Sequence, residues 1–324
     1  MAIKKFNEAI NEALHEEMER DPTVFTLGED IGLFESIFAT CKGLWKKYGD
    51  TRVVDTPISE SAIIGAAIGC AITGLRPIAE IMFIDFTGVC MDQIVNQAAK
   101  IRYMLGGQVK VPMVIRTQGG AGRSFAAQHS QSLEAWFMHI PGIKVVQPST
   151  PYDAKGLLKS AIRDDNPVMF IEHKLMYFNE GEVPDGEYLI PIGKADIKKE
   201  GKDVTLISHS RMVHFCLDAA KSLAGEGINA EVLDLRSIKP LDTEAILKSV
   251  AKTGKVVVVD EGHLTAGVGA EVAALIANEG FEYLDGPIKR VAAMDCPMPF
   301  NNKLEKAMLP SIEQITAAAK SLLN

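Results

Sequence analysis

Short runs of branched aliphatic residues alternate with helix-period segments along almost all of the 324-residue chain, which limits the fold more than any other feature. Runs such as VFTLGED, RPIAEIMF, VPMVIRT and VMFIEH show little polar alternation. A strand that is apolar on both faces must be covered on both, as in a parallel sheet flanked by helices. Over residues 179–193 the pattern breaks, because NEGEVPDGEYLIPIG mixes glycine, proline and acid without periodicity and reads as a linker. The alternation then restarts with VTLISHS, AEVLDLRS and VVVVDE. The chain is therefore expected to be α/β, with two doubly wound domains at residues 1–185 and 186–324. Each is long enough to bury its own core. Within the first, the spacing of Ile94, Ala98, Ile101 and Leu105 predicts a helix over 92–105 that ends at Gly106. Near the end of the second, Ser311 and Gln314 form a capping box for the last helix.

Charge and cysteine content narrow the function classes. The net charge is −8 with both signs interspersed, which argues against a nucleic-acid surface and gives no polybasic membrane patch. The most apolar run, residues 62–75, is shorter than the about 20 residues that a bilayer-spanning helix needs. Five cysteines without CxxC spacing read as a reduced, cytoplasmic inventory. The glutamate-rich amphipathic start, MAIKKFNEAINEALHEEMER, is unlike a secretory signal. Seven scattered histidines do not suggest a metal-rich protein.

Several side chains could carry chemistry. Glu60 stands between the extended segment RVVDTP and a glycine- and alanine-rich apolar helix, where burying an ionised carboxylate costs several kcal/mol unless it finds a proton or partner. Thr56, Ser59 and Ser61 could satisfy it as an ordinary helix-start acid, or it could serve as a buried base. His129 lies in the loop GGAGRSFAAQHSQS, where a histidine can act as acid or base or simply bond to neighbouring Ser130 or Gln128. Arg123, in the same loop, could face an anionic substrate or solvent. GVGAEV, after the strand VVVVDE, could cradle an anion, although it lacks the third glycine of a dinucleotide fingerprint and a tight turn explains it as well. SAIRDDNP places two aspartates and an asparagine at a helix end, either a hard-cation site or a solvated acidic turn. The remaining histidines, His209 and His263 among them, read as structural.

The motifs DTPISE, IMFIDF, AAQHSQ and SAIRDDNP, in this order, resemble those of the β subunit of the thiamine-diphosphate-dependent dehydrogenase component of acetoin and 2-oxo acid dehydrogenase complexes. The similarity runs from LGED near residue 27, through LWKKYGD, GLRPIAE and DQIVNQAAK, to PMPF near residue 300. It implies a transketolase-like pyrimidine-binding domain followed by a transketolase C-terminal-type domain. By the same resemblance Glu60 holds the pyrimidine ring nitrogen, with Phe86, Ile58 and Met82 beside the cofactor. Relatives can carry a polar residue where this chain has Met82. His129 is implied in acyl transfer to a lipoyl group. Met113, Ala161, Ile162, Asp164 and Asn166 are implied to form a structural potassium (K+) site, largely through backbone carbonyls.

No GDG sequence occurs, although thiamine enzymes of this class anchor magnesium (Mg2+) and the diphosphate through a GDG…N motif. The resemblance therefore implies an α subunit that supplies that half of the site, an α2β2 heterotetramer, and a lipoyl acyltransferase as further partner. The substrate would be a small molecule: acetoin, on the likeness of FIDFTGVCMDQIVNQAAKIRYMLGG and PSTPYDAKGLL, or else pyruvate or a branched 2-oxo acid. A self-contained synthase would need GDG on this chain. A non-catalytic nucleotide-binding module would leave Glu60, Phe86 and His129 without a use.

Overall fold

In the computed structural model, residues 1–323 are described. The chain forms two compact units, one of Met1–Gly119 with Trp136–Ile192, the other of Gly120–Ala135 with the chain from Gly193 onward. The segment 120–135, expected within the first domain, thus belongs to the second unit. Its backbone donors are taken up there, Ala121 N by Glu261 and Gly122 N by Glu305.

The first unit opens with β1 (Ala2–Lys5), α1 (Phe6–Arg20), β2 (Val24–Gly28), α2 (Leu44–Tyr48), β3 (Val53–Asp55), α3 (Glu60–Ile72) and β4 (Arg76–Ile81). A 3-10 stretch (Ile84–Cys90), a π turn (Gln93–Ala98) and the short α4 (Ile101–Met104) lead to β5 (Val114–Gly119). Then come α5 (Glu134–His139), whose first two residues belong to the second unit, β6 (Lys144–Val146), α6 (Pro151–Arg163), β7 (Val168–His173) and β8 (Glu180–Val183). The single helix expected over 92–105 is thus broken in two. Ala99 N reaches back five residues to Ile94 O at 3.1 Å. The expected linker also begins with structure, since β8 pairs antiparallel with β1.

Strands β6-β7-β5-β4-β2-β3 lie side by side in that order, all parallel. Phe6, Ile10, Ala13, Leu14 and Met18 make the buried stripe of α1, which packs with Leu157, Leu158 and Ala161 of α6. Each such large side chain contributes about 1.5–3 kcal/mol by leaving water. Lys155 and Lys159 reach Glu16 at 2.7 and 2.5 Å, and Arg163 pairs with Glu17, so charges pin the same two helices. Inside the sheet Arg116 donates to both oxygens of Glu172 (2.7 and 2.9 Å) and to Glu80 (2.7 Å), a buried cation satisfied by two carboxylates.

From β2 the chain first goes to β3 on one side and then, through α3, to β4 on the other. This reversal makes the carboxyl ends of β2 and β4 a topological switch point, where open α/β sheets bind ligands.

The second unit contains β9 (Asp196–Lys199), β10 (Val204–Ser208), α7 (Met212–Ala224), β11 (Ala230–Asp234), β12 (Ser237–Lys239), α8 (Thr243–Thr253) and β13 (Val256–His263). Next are α9 (Val268–Glu279), β14 (Lys289–Ala293), α10 (Asn302–Met308) and α11 (Ile312–Lys320). The sheet order is β14-β13-β10-β11-β9, parallel except for the antiparallel edge strand β9. Val204 and Leu206 face α7 and α11, whereas Thr205 between them bonds Ser249 and Thr253 of α8. Alternate residues of one strand thus meet helices on opposite faces, as a doubly wound sheet requires. The capping box at Ser311 and Gln314 is formed.

Candidate active site

Glu60 is the first residue of α3, directly beyond β3 at the switch point, and is 9% exposed. Its helix is apolar because Ile63, Ile64, Ala67 and Ile68 pack inward, so the carboxylate is carried into the protein by the helix's own burial. The hydroxyls that could have satisfied it do not. Ser61 Oγ donates to Val89 O at 2.9 Å, Ser59 makes no side-chain cap, and Thr56 Oγ1 has no partner among the described residues. Among the described residues no hydrogen-bond donor reaches the Glu60 carboxylate, and the remaining support is the positive end of α3. Glu60 is thus a buried acid without a hydrogen-bond donor from the described chain.

Its neighbours agree. Burial, and then the Glu60 charge, push the Cys90 thiol up to about 12. Glu29, the residue after β2, has its carboxyl raised above the ordinary range by burial and then by Glu60. Glu29 is absent from the expected site. Only the pairing of β2 with β3, which sets Gly28 opposite Asp55, reveals its place near Glu60. Phe86 lies in the 3-10 stretch beside α3, half-buried and edge-on to Phe83 with centroids 5.5 Å apart. Met82 follows β4 and is half-buried, and Ile58 is exposed two residues before Glu60.

His129 belongs to the second unit and is half-buried in the loop 120–135. The loop is strained: Ser124 and Ala126 have φ of 56° and 62°, values non-glycine residues seldom adopt outside functional loops. Arg123 is exposed.

The model of the transketolase pyrimidine-binding domain matches residues 4–179, and that of the transketolase C-terminal domain matches residues 193–315. An acetoin:2,6-dichlorophenolindophenol oxidoreductase subunit beta of Cupriavidus necator is 52% identical over 97% of this chain and 96% of that protein. The chain belongs to this family of dehydrogenase β subunits. A pyruvate dehydrogenase E1 component subunit beta of Gracilaria tenuistipitata is 49% identical, and a 2-oxoisovalerate dehydrogenase subunit beta of Bacillus subtilis is 48% identical, each over at least 98% of both chains. In three dimensions the β subunit is similar to a split-gene transketolase solved as an inactive β4 tetramer, at 26% identity, with TM-score 0.81 over 98% of this chain and 97% of that one. Family membership makes the β subunit part of a thiamine-diphosphate-dependent oxidoreductase.

The carbonyls of the expected potassium loop are already engaged. Met113 O accepts from Val168 N (3.0 Å) and Ala161 O from Asp164 N (3.3 Å), while Ile162 O and Asp164 O both accept from Arg76 Nη1 at 3.0 Å. Asn166 N donates to Asp164 Oδ1 at 2.9 Å, and Lys144 holds the other oxygen of that carboxylate. A carbonyl oxygen has two lone pairs, so the set fits a monovalent cation only alongside the Arg76 guanidinium.

GVGAEV wraps an anion belonging to the chain itself. Asp260 accepts from Gly262 N at 2.8 Å and Gly269 N at 3.0 Å, and a Cβ on Gly267 would meet Asp260 Oδ2 at 2.9 Å. The tight-turn reading of this motif therefore holds. Asp260 also faces His209, read from sequence as merely structural, and Glu134, with ligand-type atoms all within 4.8 Å and all three residues buried. His209 and Asp260 stand at the carboxyl ends of the adjacent parallel strands β10 and β13, a placement that pairing makes visible and sequence spacing does not. His263 Nδ1 donates to Met294 O at 2.7 Å and fixes a turn. No described helix is long and apolar enough to cross a membrane.

Proposed function

We propose that this β subunit serves an acetoin-cleaving dehydrogenase, with Glu60 as the group that holds and returns a proton at the cofactor's pyrimidine ring. The observation that supports the Glu60 role most directly is its buried, donor-free carboxylate at the switch point. Thiamine diphosphate, when bound, supplies the carbon nucleophile that splits a bond next to a carbonyl. An aminopyrimidine offers ring-nitrogen and amino chemistry that a lone carboxylate can pair with, and burial keeps water from competing. Phe86 and Met82 would bound the ring, and Ile58 would cover its edge. His129, on its strained loop, would assist acyl transfer to the lipoyl group of an acyltransferase.

The diphosphate and Mg2+ are assigned to an α subunit, in an α2β2 assembly, because this chain has no GDG motif. Exposed apolar area beside the proposed site supports this assembly: Ile58 is 82% exposed and Val89 62% exposed. K+ is proposed at the Asp164 loop, sharing the carbonyls with Arg76. Five free cysteines, with no disulfide among the described residues, support a cytoplasmic protein.

Acetoin is favoured by the 52% identity to an acetoin-oxidising subunit; pyruvate is the second reading, on 49% identity. The deciding experiment assembles the chain with its α subunit, thiamine diphosphate and Mg2+ and follows dye reduction with acetoin, pyruvate and 2-oxoisovalerate in parallel. Acetoin should turn over fastest, and faster turnover of either 2-oxo acid would reassign the substrate.

A further inference from the structure

The buried Glu134, His209 and Asp260 take no part in the chemistry proposed above, yet they lie where the His129 loop ends. Both ends of that loop are tied into the second unit. At its start Ala121 N donates to Glu261 Oε1 at 2.8 Å, and Gly122 N and Ser124 N donate to the buried carboxylate of Glu305 at 2.8 and 3.0 Å. At its end Glu134 turns into the interior, five residues after His129, with 5% of its surface exposed. Asp260 is fixed by Gly262 N and Gly269 N. His209 sits at the end of β10 beside Ser210, whose φ is 51°, with Nε2 3.5 Å from Asp260 Oδ1 and no well-formed hydrogen bond at either ring nitrogen. Between the two ties the backbone is strained at Ser124 and Ala126, a conformation that persists only when its surroundings fix it.

The charges that face this cluster are Asp260, Glu261 and Asp234, with His209 central and Arg211 3.8 Å from Glu261. These three side chains sum to zero charge when Glu134 is protonated, Asp260 ionised and His209 an imidazolium, so no metal is needed for charge balance among them. We propose that Glu134, His209 and Asp260 form a buried anchor that positions the His129 loop, with Glu134 as its positioning residue. This rests on the acyl-transfer role of His129.

The protonation pattern follows from the surroundings. Burial and then the Asp260 charge raise the Glu134 carboxyl to about 7. Burial alone would lower His209, but the Asp260 contact and charge outweigh it and hold the imidazole above its ordinary value. Above neutrality Glu134 therefore ionises against Asp260 and Glu261, and the anchor loosens.

The test uses the enzyme assembled with its α subunit and compares dye reduction with acyl transfer to a free lipoyl domain, from about pH 6 to about pH 9. Wild type should lose acyl transfer above about pH 7 without a matching loss of dye reduction. Glu134→Gln, which mimics the protonated acid, should keep acyl transfer within about two-fold near pH 6.5 and lack the alkaline limb. Glu134→Ala should lose at least about ten-fold in acyl transfer with dye reduction nearly unchanged. An alkaline limb that survives in Glu134→Gln, or equal losses in both assays for Glu134→Ala, would overturn the proposal. So would one equivalent of zinc or another divalent transition metal per β chain that disappears in His209→Gln, which would make the cluster a metal centre. Loss in His129→Ala without loss in Glu134→Ala removes the anchor alone. Unimpaired transfer in His129→Ala removes the reading of His129 and the anchor with it.

Discussion

Glu60 and His129 divide the proposed chemistry, and substitutions should separate their parts. Glu60→Gln keeps the shape but can no longer hold a proton. In the assembled enzyme dye reduction should fall by about 10²–10⁴-fold, as for other lost proton-transfer groups. Retained turnover in a steady-state assay would remove Glu60 from the chemistry. His129→Ala should leave dye reduction within about two-fold and slow lipoyl acylation by at least about ten-fold. Both residues stood out in the sequence as candidates, but their settings also suited an ordinary helix-start acid and a bonded loop histidine, and only the family resemblance attached roles to them. Glu29 was not singled out, because its relation to Glu60 exists only after β2 and β3 pair, with Gly28 opposite Asp55. His209 was passed over for a similar reason, its partners lying on α5 and β13.

At the level of strands and helices, buried ion pairs and close backbone approaches decide stability. Arg116 is 2% exposed and bridges three adjacent strands through Glu80 and Glu172. Arg116→Met leaves two buried carboxylates facing each other and should cost about 3–5 kcal/mol in chemical denaturation. A cost under about 1 kcal/mol would show that water or protonation compensates. Gly142 has φ +96° and lies so near Ala99 that an added Cβ would stand 1.9 Å from its carbonyl oxygen. Gly142→Ala should therefore lower Tm by several degrees, through strain and through displacement of the π turn. The element types followed from the aliphatic runs and helix periods. The π turn did not, because the spacing of Ile94, Ala98 and Ile101 suits an unbroken helix equally well.

Across the whole chain, pH and partner binding report on the same architecture. Glu134 binds a proton in the folded chain at pH values where the unfolded chain has released it. Stability should therefore decline as pH rises from the ordinary carboxylate range through about 7 and level off above it. Glu134→Gln should flatten that decline in a series of melting curves, and an unchanged slope would place the proton elsewhere. The two-domain α/β plan was readable from the sequence, but the assignment of residues 120–135 to the second unit was not, since the deciding contacts are with Glu261 and Glu305, more than a hundred residues away. The missing GDG motif makes the strongest demand on the whole molecule. The most direct measurement is acetoin-dependent dye reduction by this chain, with thiamine diphosphate and Mg2+, alone and after mixing with its α subunit. Turnover only in the mixture is the predicted result, and turnover by this chain alone would contradict a site divided between two subunits.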